Sequence, residues 1–261
     1  MPRPGRRECA DSAVDWDAQS RVTSIDPGNA SEGLEFQILP KTMLRRVTAK
    51  RMLISSNEKP HVTLHRSVCV DRLIEYLHET RNSVDDESRK HITLTSVLAF
   101  VVSRALASYG RLNGRVSEGD VHLYQKVNLG IAVQVDGGLV VPVIHDAANL
   151  DILTLSAQLY EVAQIARNGM LKPEHVTGGT FTITNLGAFG ISFFTPIINP
   201  PELGILGIGT IEDHVKFTMG EITEIKRIGL SLSFDHSASD GADAAELLSV
   251  IDLELQKVGV S

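Results

Sequence analysis

Two stretches in the second half of the chain carry side chains that could do chemistry together. The first is Asp235-His236-Ser237-Ala238-Ser239-Asp240-Gly241, where a histidine follows a strand-like run and stands four residues before an Asp-Gly turn. Imidazole titrates near neutral pH, so a histidine held at a strand end suits proton transfer to and from a thiol or a hydroxyl. The second runs from Gly178 to Gly187 and reads GGTFTITNLG. At strand periodicity Phe181 and Ile183 face one way and Thr182 and Thr184 the other. A hydroxyl at a strand end, before a glycine, can donate to a developing oxyanion. Each has an ordinary reading too. The chain has nine histidines, so His236 could be a loop residue beside a helix start, and the threonines could face solvent. A third stretch, Thr195-Pro196-Ile197-Ile198-Asn199-Pro200-Pro201, reads as a rigid, partly buried extended segment and names no chemistry alone.

The elements that must position these groups follow from periodicity. Residues 1 to about 35 are rich in Asp, Ser, Arg, Gly and Pro and read as a disordered tail; patterned sequence runs from 36 to 261 and is expected to be one domain. Thr42 to Ser55 reads as a basic helix carrying Arg45, Arg46, Lys50 and Arg51. Val62, Leu64, Val68 and Val70 alternate as a half-buried strand, and Asp71 is placed to cap the next helix. Helical stripes recur at Leu94–Ala105 and at Ile152–Ala166. Val127, Leu129, Ile131, Val133 and Val135 alternate strictly and predict one strand, turning at Asp136-Gly137-Gly138 into Leu139–Ile144. Strands are further expected at 179–184, 204–211 and 228–234, with a last helix from Asp240 to Gln256. The sum is a mixed α/β protein, and its irregular alternation argues against a Rossmann or barrel repeat.

Composition narrows the partners. At 261 residues, 43% hydrophobic and 22% charged, the chain has an ordinary globular makeup. Its net charge of −7 argues against nucleic acid, and no apolar run is long enough to span a membrane. Cys9 and Cys69 form no metal or disulfide pattern, so a cytoplasmic setting is expected. No HExxH, phosphate-binding loop or GxSxG string occurs, so no metal is expected.

Taken in order, GGTFTITNLGAFG, FTPIINPP, ILGIG and DHSASDGADAAELL, with RRVTAKRM, KPHVTL and VNLGIAVQVDGGLVVPVI upstream, resemble the catalytic domain of the 2-oxoacid dehydrogenase dihydrolipoamide acyltransferases over roughly residues 36–258. The His-x-x-x-Asp-Gly element alone is shared with chloramphenicol acetyltransferases and peptide-synthetase condensation domains, and Asp235 before the histidine favours the acyltransferases. The resemblance implies a chloramphenicol-acetyltransferase-like α/β fold, a two-layer sandwich of a mixed sheet with flanking helices, assembled as a homotrimer with sites between subunits. It implies coenzyme A or acetyl-CoA as substrate, His236 as general base, and Thr184 from the neighbouring subunit as oxyanion stabiliser. Asp240 would organise the histidine loop through an arginine, with Arg46 and Arg51 as candidates. Ser237, Asn185 and Gly241 would shape the substrate-facing loops.

The string departs from the family in three places. Only about 35 unpatterned residues precede the domain, so no covalently bound lipoyl group is expected on this chain. Ser237-Ala238-Ser239 replaces an arginine and a bulky apolar residue. The polar end Lys257-Val258-Gly259-Val260-Ser261 lacks the apolar knob that joins trimers into cages, which predicts a free trimer. Together these lead to the expectation of a stand-alone acetyltransferase acting on a small-molecule hydroxyl, as in a tetronate offshoot of polyketide antibiotic biosynthesis. The alternatives are a dihydrolipoamide acyltransferase core served by a lipoyl domain in trans, and a non-catalytic trimeric scaffold.

Overall fold

The computed structural model describes residues 38–259 except Met219. It divides into two units, Met1–Thr42 and Met43–Ser261. The tail expected over residues 1–35 lies outside the described residues, and the fold discussed below is that of the second unit.

Along the chain run α1 (Met43–Glu58), β1 (His61–Cys69), α2 (Asp71–Asn82), α3 (Asp86–His91), α4 (Leu94–Ser108), β2 (Gly114–Ser117), β3 (Asp120–Leu123), β4 (Leu129–Ile131), β5 (Val133–Val135), β6 (Gly138–Val140) and β7 (Val143–Ile144). There follow α5 (Ile152–Arg167), β8 (Phe181–Asn185), β9 (Gly204–Thr218), β10 (Glu221–Asp235) and α6 (Gly241–Lys257). Six strands form one sheet in the order β1-β10-β9-β8-β4-β7. Strand β8 is parallel to both β4 and β9, while β1 pairs β10, β10 pairs β9 and β4 pairs β7 antiparallel. The expected mixed sheet with flanking helices is therefore present.

The helical layer forms because alternate residues of the strands and one stripe of each helix are apolar. Ile228, Leu230, Leu232 and Phe234 of β10 are buried, as are Leu247, Leu248 and Ile251 of α6, which lies against β1 and β10. Helix α4 packs on both α5 and α6. The opposite face of β10 is also closed off, by the chain that follows β8. A Cβ at Gly209 would lie 2.0 Å from the Ser192 carbonyl oxygen, and one at Gly229 2.1 Å from it. Glycine is needed there because another backbone passes against the sheet. Under this crossing the polar face of β10 is internally paired, Thr63 Oγ1 with Ser233 Oγ at 2.7 Å and His65 Nδ1 with Ser231 Oγ at 2.9 Å.

Three expectations need correction. The alternating run Val127–Val135 is not one strand: β4 joins the main sheet and β5 a separate hairpin with β6. Pro142, in the returning chain, has no N–H to continue the ladder; its carbonyl accepts from Ile131, while Ala132 donates to Ile183. Strands β9 and β10 run on well past their apolar stretches as a two-stranded arm, paired from Ile211↔Ile228 to Thr218↔Glu221. Its polar sequence hides it from a search for buried strands. Asp71 lies within the first turn of α2 rather than capping it; its Oδ1 accepts from Lys226 N at 2.8 Å, tying the helix start to β10.

Candidate active site

The histidine string sits where β10 ends. Its backbone is fixed twice: His236 N donates to Pro60 O at 2.9 Å, and Ala238 N and Ser239 N both donate to Asp235 O at 3.1 Å. Asp235 itself is 1% exposed. Its Oδ2 meets Lys59 Nζ at 2.7 Å, and its Oδ1 accepts from Ser237 Oγ at 2.6 Å and Ser237 N at 3.0 Å. Burial pushes the Asp235 carboxyl up, but the bonds from Lys59 and Ser237 outweigh it and hold the group below the usual carboxylate range. Ser239 Oγ reaches Asp243 in the first turn of α6 at 3.2 Å, and the Tyr109 hydroxyl holds the same carboxylate at 2.9 Å. The strand end and the helix start are thus both clamped, and His236 projects between them. It is exposed, its ring tilts against Phe234 with centroids 5.4 Å apart, and no described residue hydrogen-bonds its nitrogens.

Asp240 occupies the N-cap position of α6 without a side-chain cap bond, and Gly241 opens the helix with open space at its Cβ position. Neither arginine candidate bonds Asp240 within the chain. Arg51 instead donates to Pro200 O at 2.6 Å and Asn199 Oδ1 at 3.2 Å, and Arg46 lies exposed on α1. Ser237 and Ser239, taken from the sequence as signs of a reshaped acceptor side, are loop-holding groups.

Thr184 belongs to a different place. It lines a groove of about 420 Å³ together with Leu44, Arg51, Thr182, Phe194 and Asn199. No described residue hydrogen-bonds its hydroxyl. The next residue, Asn185, holds the turn beyond β8, accepting from Gly187 N at 2.8 Å and donating to Thr95 Oγ1 at 3.1 Å. Thr184 pairs with Gly207, which pairs with Ser231, five residues before His236. At strand rise that offset is roughly 16 Å along the sheet, besides two strand spacings across it. One chain therefore presents a candidate base and a candidate oxyanion donor that do not face each other.

The structure also brings forward three residues that the sequence did not single out. Lys59 is the partner of Asp235. Glu202, directly after the proline segment and 2% exposed, accepts from Thr182 Oγ1 at 2.6 Å and from Asn199 Nδ2 at 2.9 Å. Burial pushes its carboxyl up to about 7, against the lowering effect of those two bonds and of the Arg51 and Lys59 charges. His61 is the third: its Nδ1 faces Lys59 O at 2.8 Å and its Nε2 accepts from Ile198 N at 3.1 Å, pinning the proline segment to the start of β1. Lys59 and His61 lie in KPHVTL and Glu202 follows Pro201, so the only sequence signal was their adjacency to motifs already noted. Among the described residues no group of three or more His, Cys, Asp or Glu side chains could hold a metal ion, and no helix is long and apolar enough to cross a membrane.

Comparison with known proteins places the chain and its fold. The chain is 34% identical over 254 residues, 97% of its length, to the dihydrolipoyllysine-residue acetyltransferase component of the acetoin cleaving system of Bacillus subtilis. It spans about half to two thirds of the length of the curated relatives it matches. Its fold superposes with TM-score 0.83 and 27% identity, covering 91% of this chain and 98% of the other, on Azotobacter vinelandii dihydrolipoamide acetyltransferase, in work on the catalytic roles of a serine, a histidine and an asparagine. That histidine and asparagine stand four positions apart, the spacing of His236 and Asp240. A second superposition, TM-score 0.82 at 28% identity over 90% of this chain and 97% of the other, is with the cubic core of the pyruvate dehydrogenase multienzyme complex. These relatives overturn the expectation of a tetronate-type O-acetyltransferase: they are dihydrolipoyllysine acetyltransferases, and the serines that suggested otherwise hold the loop. Residues 34–259 match the family described as 2-oxoacid dehydrogenases acyltransferase (catalytic domain), and the chain belongs to that family.

Proposed function

We propose that this chain is the catalytic core of a dihydrolipoamide acyltransferase of a 2-oxoacid dehydrogenase-type system, working as a homotrimer with each site between two subunits. The observation that carries the reading is the separation of His236 and Thr184 within one chain of this family: His236 is exposed, Thr184 is half-buried in its groove, and no described residue hydrogen-bonds either side chain.

In this reading His236 takes the proton from the attacking thiol. The thiolate adds to the acetyl thioester carbonyl, and the tetrahedral oxyanion accepts a hydrogen bond from Thr184 of the neighbouring subunit. Collapse expels the other thiolate, which takes the proton back from His236, so one thioester and one thiol exchange without net oxidation. The two thiols are those of coenzyme A and of a dihydrolipoyl group carried outside residues 43–259. A reducing, cytoplasmic setting suits both. Asp240 organises the loop after His236, with Arg46 or Arg51 as partner in the assembled trimer, while Ser237, Asn185 and Gly241 shape the approach.

The test is acetyl transfer from acetyl-CoA to dihydrolipoamide by wild type, H236A and T184A. His236→Ala is expected to lose about 10³-fold in kcat and Thr184→Ala about 10²-fold, both with the wild-type oligomer. Full activity of H236A would refute His236 as the base, and a wild type that transfers no acetyl group would return the non-catalytic scaffold.

A further inference from the structure

The least expected group in the molecule is the buried carboxylate of Glu202. It lies behind the groove that carries Thr184, not in it. Its two oxygens accept from different walls of that groove: Oε2 from Thr182, two residues before Thr184 on the same face of β8, and Oε1 from Asn199 of the proline segment. Asn199 in turn accepts from Arg51 of α1, so a single carboxylate ties β8, the proline segment and α1 together. We infer that Glu202 is a positioning residue for acyl transfer, a latch that holds the Thr184 strand and the groove wall in register when ionised and loosens them when protonated. The inference rests on the acyl-transfer reading above.

The physical reason lies in the donor count. An ionised carboxylate only accepts, and both donors facing Glu202 are then satisfied. A proton on Oε2 would point at the Thr182 hydroxyl, which must turn to accept it and leave its own proton without a partner. That hydroxyl is fully buried and boxed in: a Cβ on Gly130 would lie 2.8 Å from Thr182 Oγ1. A Cβ on Gly179 would come 3.0 Å from Glu202 Oε1, on the side where both residues line a second cavity of about 760 Å³. The charged groups facing the site are Arg51 from α1 and Lys59 from the turn before β1, itself paired with Asp235. Arg115 of β2 lies across the backbone bridge to Glu202, with its Nε buried and unpartnered. His61 of β1 bonds Ile198 N, not the carboxylate. Since burial pushes the Glu202 carboxyl up to about 7, the latch responds around neutral pH.

The experiment is the pH profile of kcat for acetyl transfer from acetyl-CoA to dihydrolipoamide by the intact chain. Below neutrality the wild-type profile should include a protonation step at Glu202, at about 7. Glu202→Gln should lower kcat about tenfold at pH 8 through lost positioning, leave KM within about twofold, and remove that step from the acid limb. Thr182→Val, which withdraws a donor from the carboxylate, should shift the limb to higher pH. Either variant superimposing on the wild-type profile overturns the inference. If the wild type transfers no acetyl group to dihydrolipoamide, the acyl-transfer reading has failed instead, and the two failures are thus separable.

Discussion

The two halves of the site are held by opposite means. At the His236 loop a buried carboxylate, Asp235, has a full ion pair with Lys59 and two bonds from Ser237, and its carboxyl is held low. At the Thr184 strand a buried carboxylate, Glu202, has only neutral direct donors, with Arg51 and Lys59 acting from farther away, and its carboxyl is pushed up to about 7. Neither side chain is open to solvent, but Glu202 lies deeper in the protein, so desolvation weighs more heavily on it, and no cation touches its oxygens. The candidate base is therefore mounted on a part whose charge state is constant near neutral pH, and the candidate oxyanion donor on a part whose charge state is not.

The contrast can be broken most severely at Lys59. Lys59→Met leaves Asp235 buried and unpaired, which should cost about 3–5 kcal/mol of stability by denaturant unfolding at pH 7. A variant as stable as wild type would mean that the pair does not hold the loop. Next comes the opposite pH response of the two carboxylates. Glu202 has a folded pKa of about 7 against an ordinary 4.5, so the folded state binds the extra proton and stability falls as pH rises through that window, by about 3 kcal/mol in full. Glu202→Gln should remove that slope, measured as unfolding free energy at pH 5 and pH 8. Asp235 has the reverse sign: its contribution is present above the ordinary carboxylate range and is lost as pH falls through its lowered folded pKa. The smallest effect is expected from Ser237→Ala, about 1 kcal/mol for lost hydrogen bonding to Asp235, with kcat reduced and the pH profile unchanged in shape.

The same comparison shows what could be read from the sequence. Strands β1, β8 and β10 and helix α6 were legible because each alternates or repeats its apolar residues at the period of its own backbone. The split of Val127–Val135 into β4 and β5 was not, because the cause is Pro142 on the returning chain. The long β9–β10 arm was hidden because exposed strands carry no apolar signature; Val215, Phe217 and Ile222 on it are all at least 70% exposed. His236 and Thr184 were legible as motif positions. Lys59 as the partner of Asp235 was not, since the two stand 176 positions apart, and nothing in the string Pro-Pro-Glu says that its carboxylate will be buried.

The claim that base and oxyanion donor come from different subunits can be tested directly by mixing. H236A and T184A, each nearly inactive alone, should regain activity when unfolded together and reassembled at equal amounts. With random trimers about a quarter of the interfaces pair an intact His236 with an intact Thr184, so about a quarter of wild-type activity is predicted. Mixed trimers with no more activity than the separate variants would contradict the account.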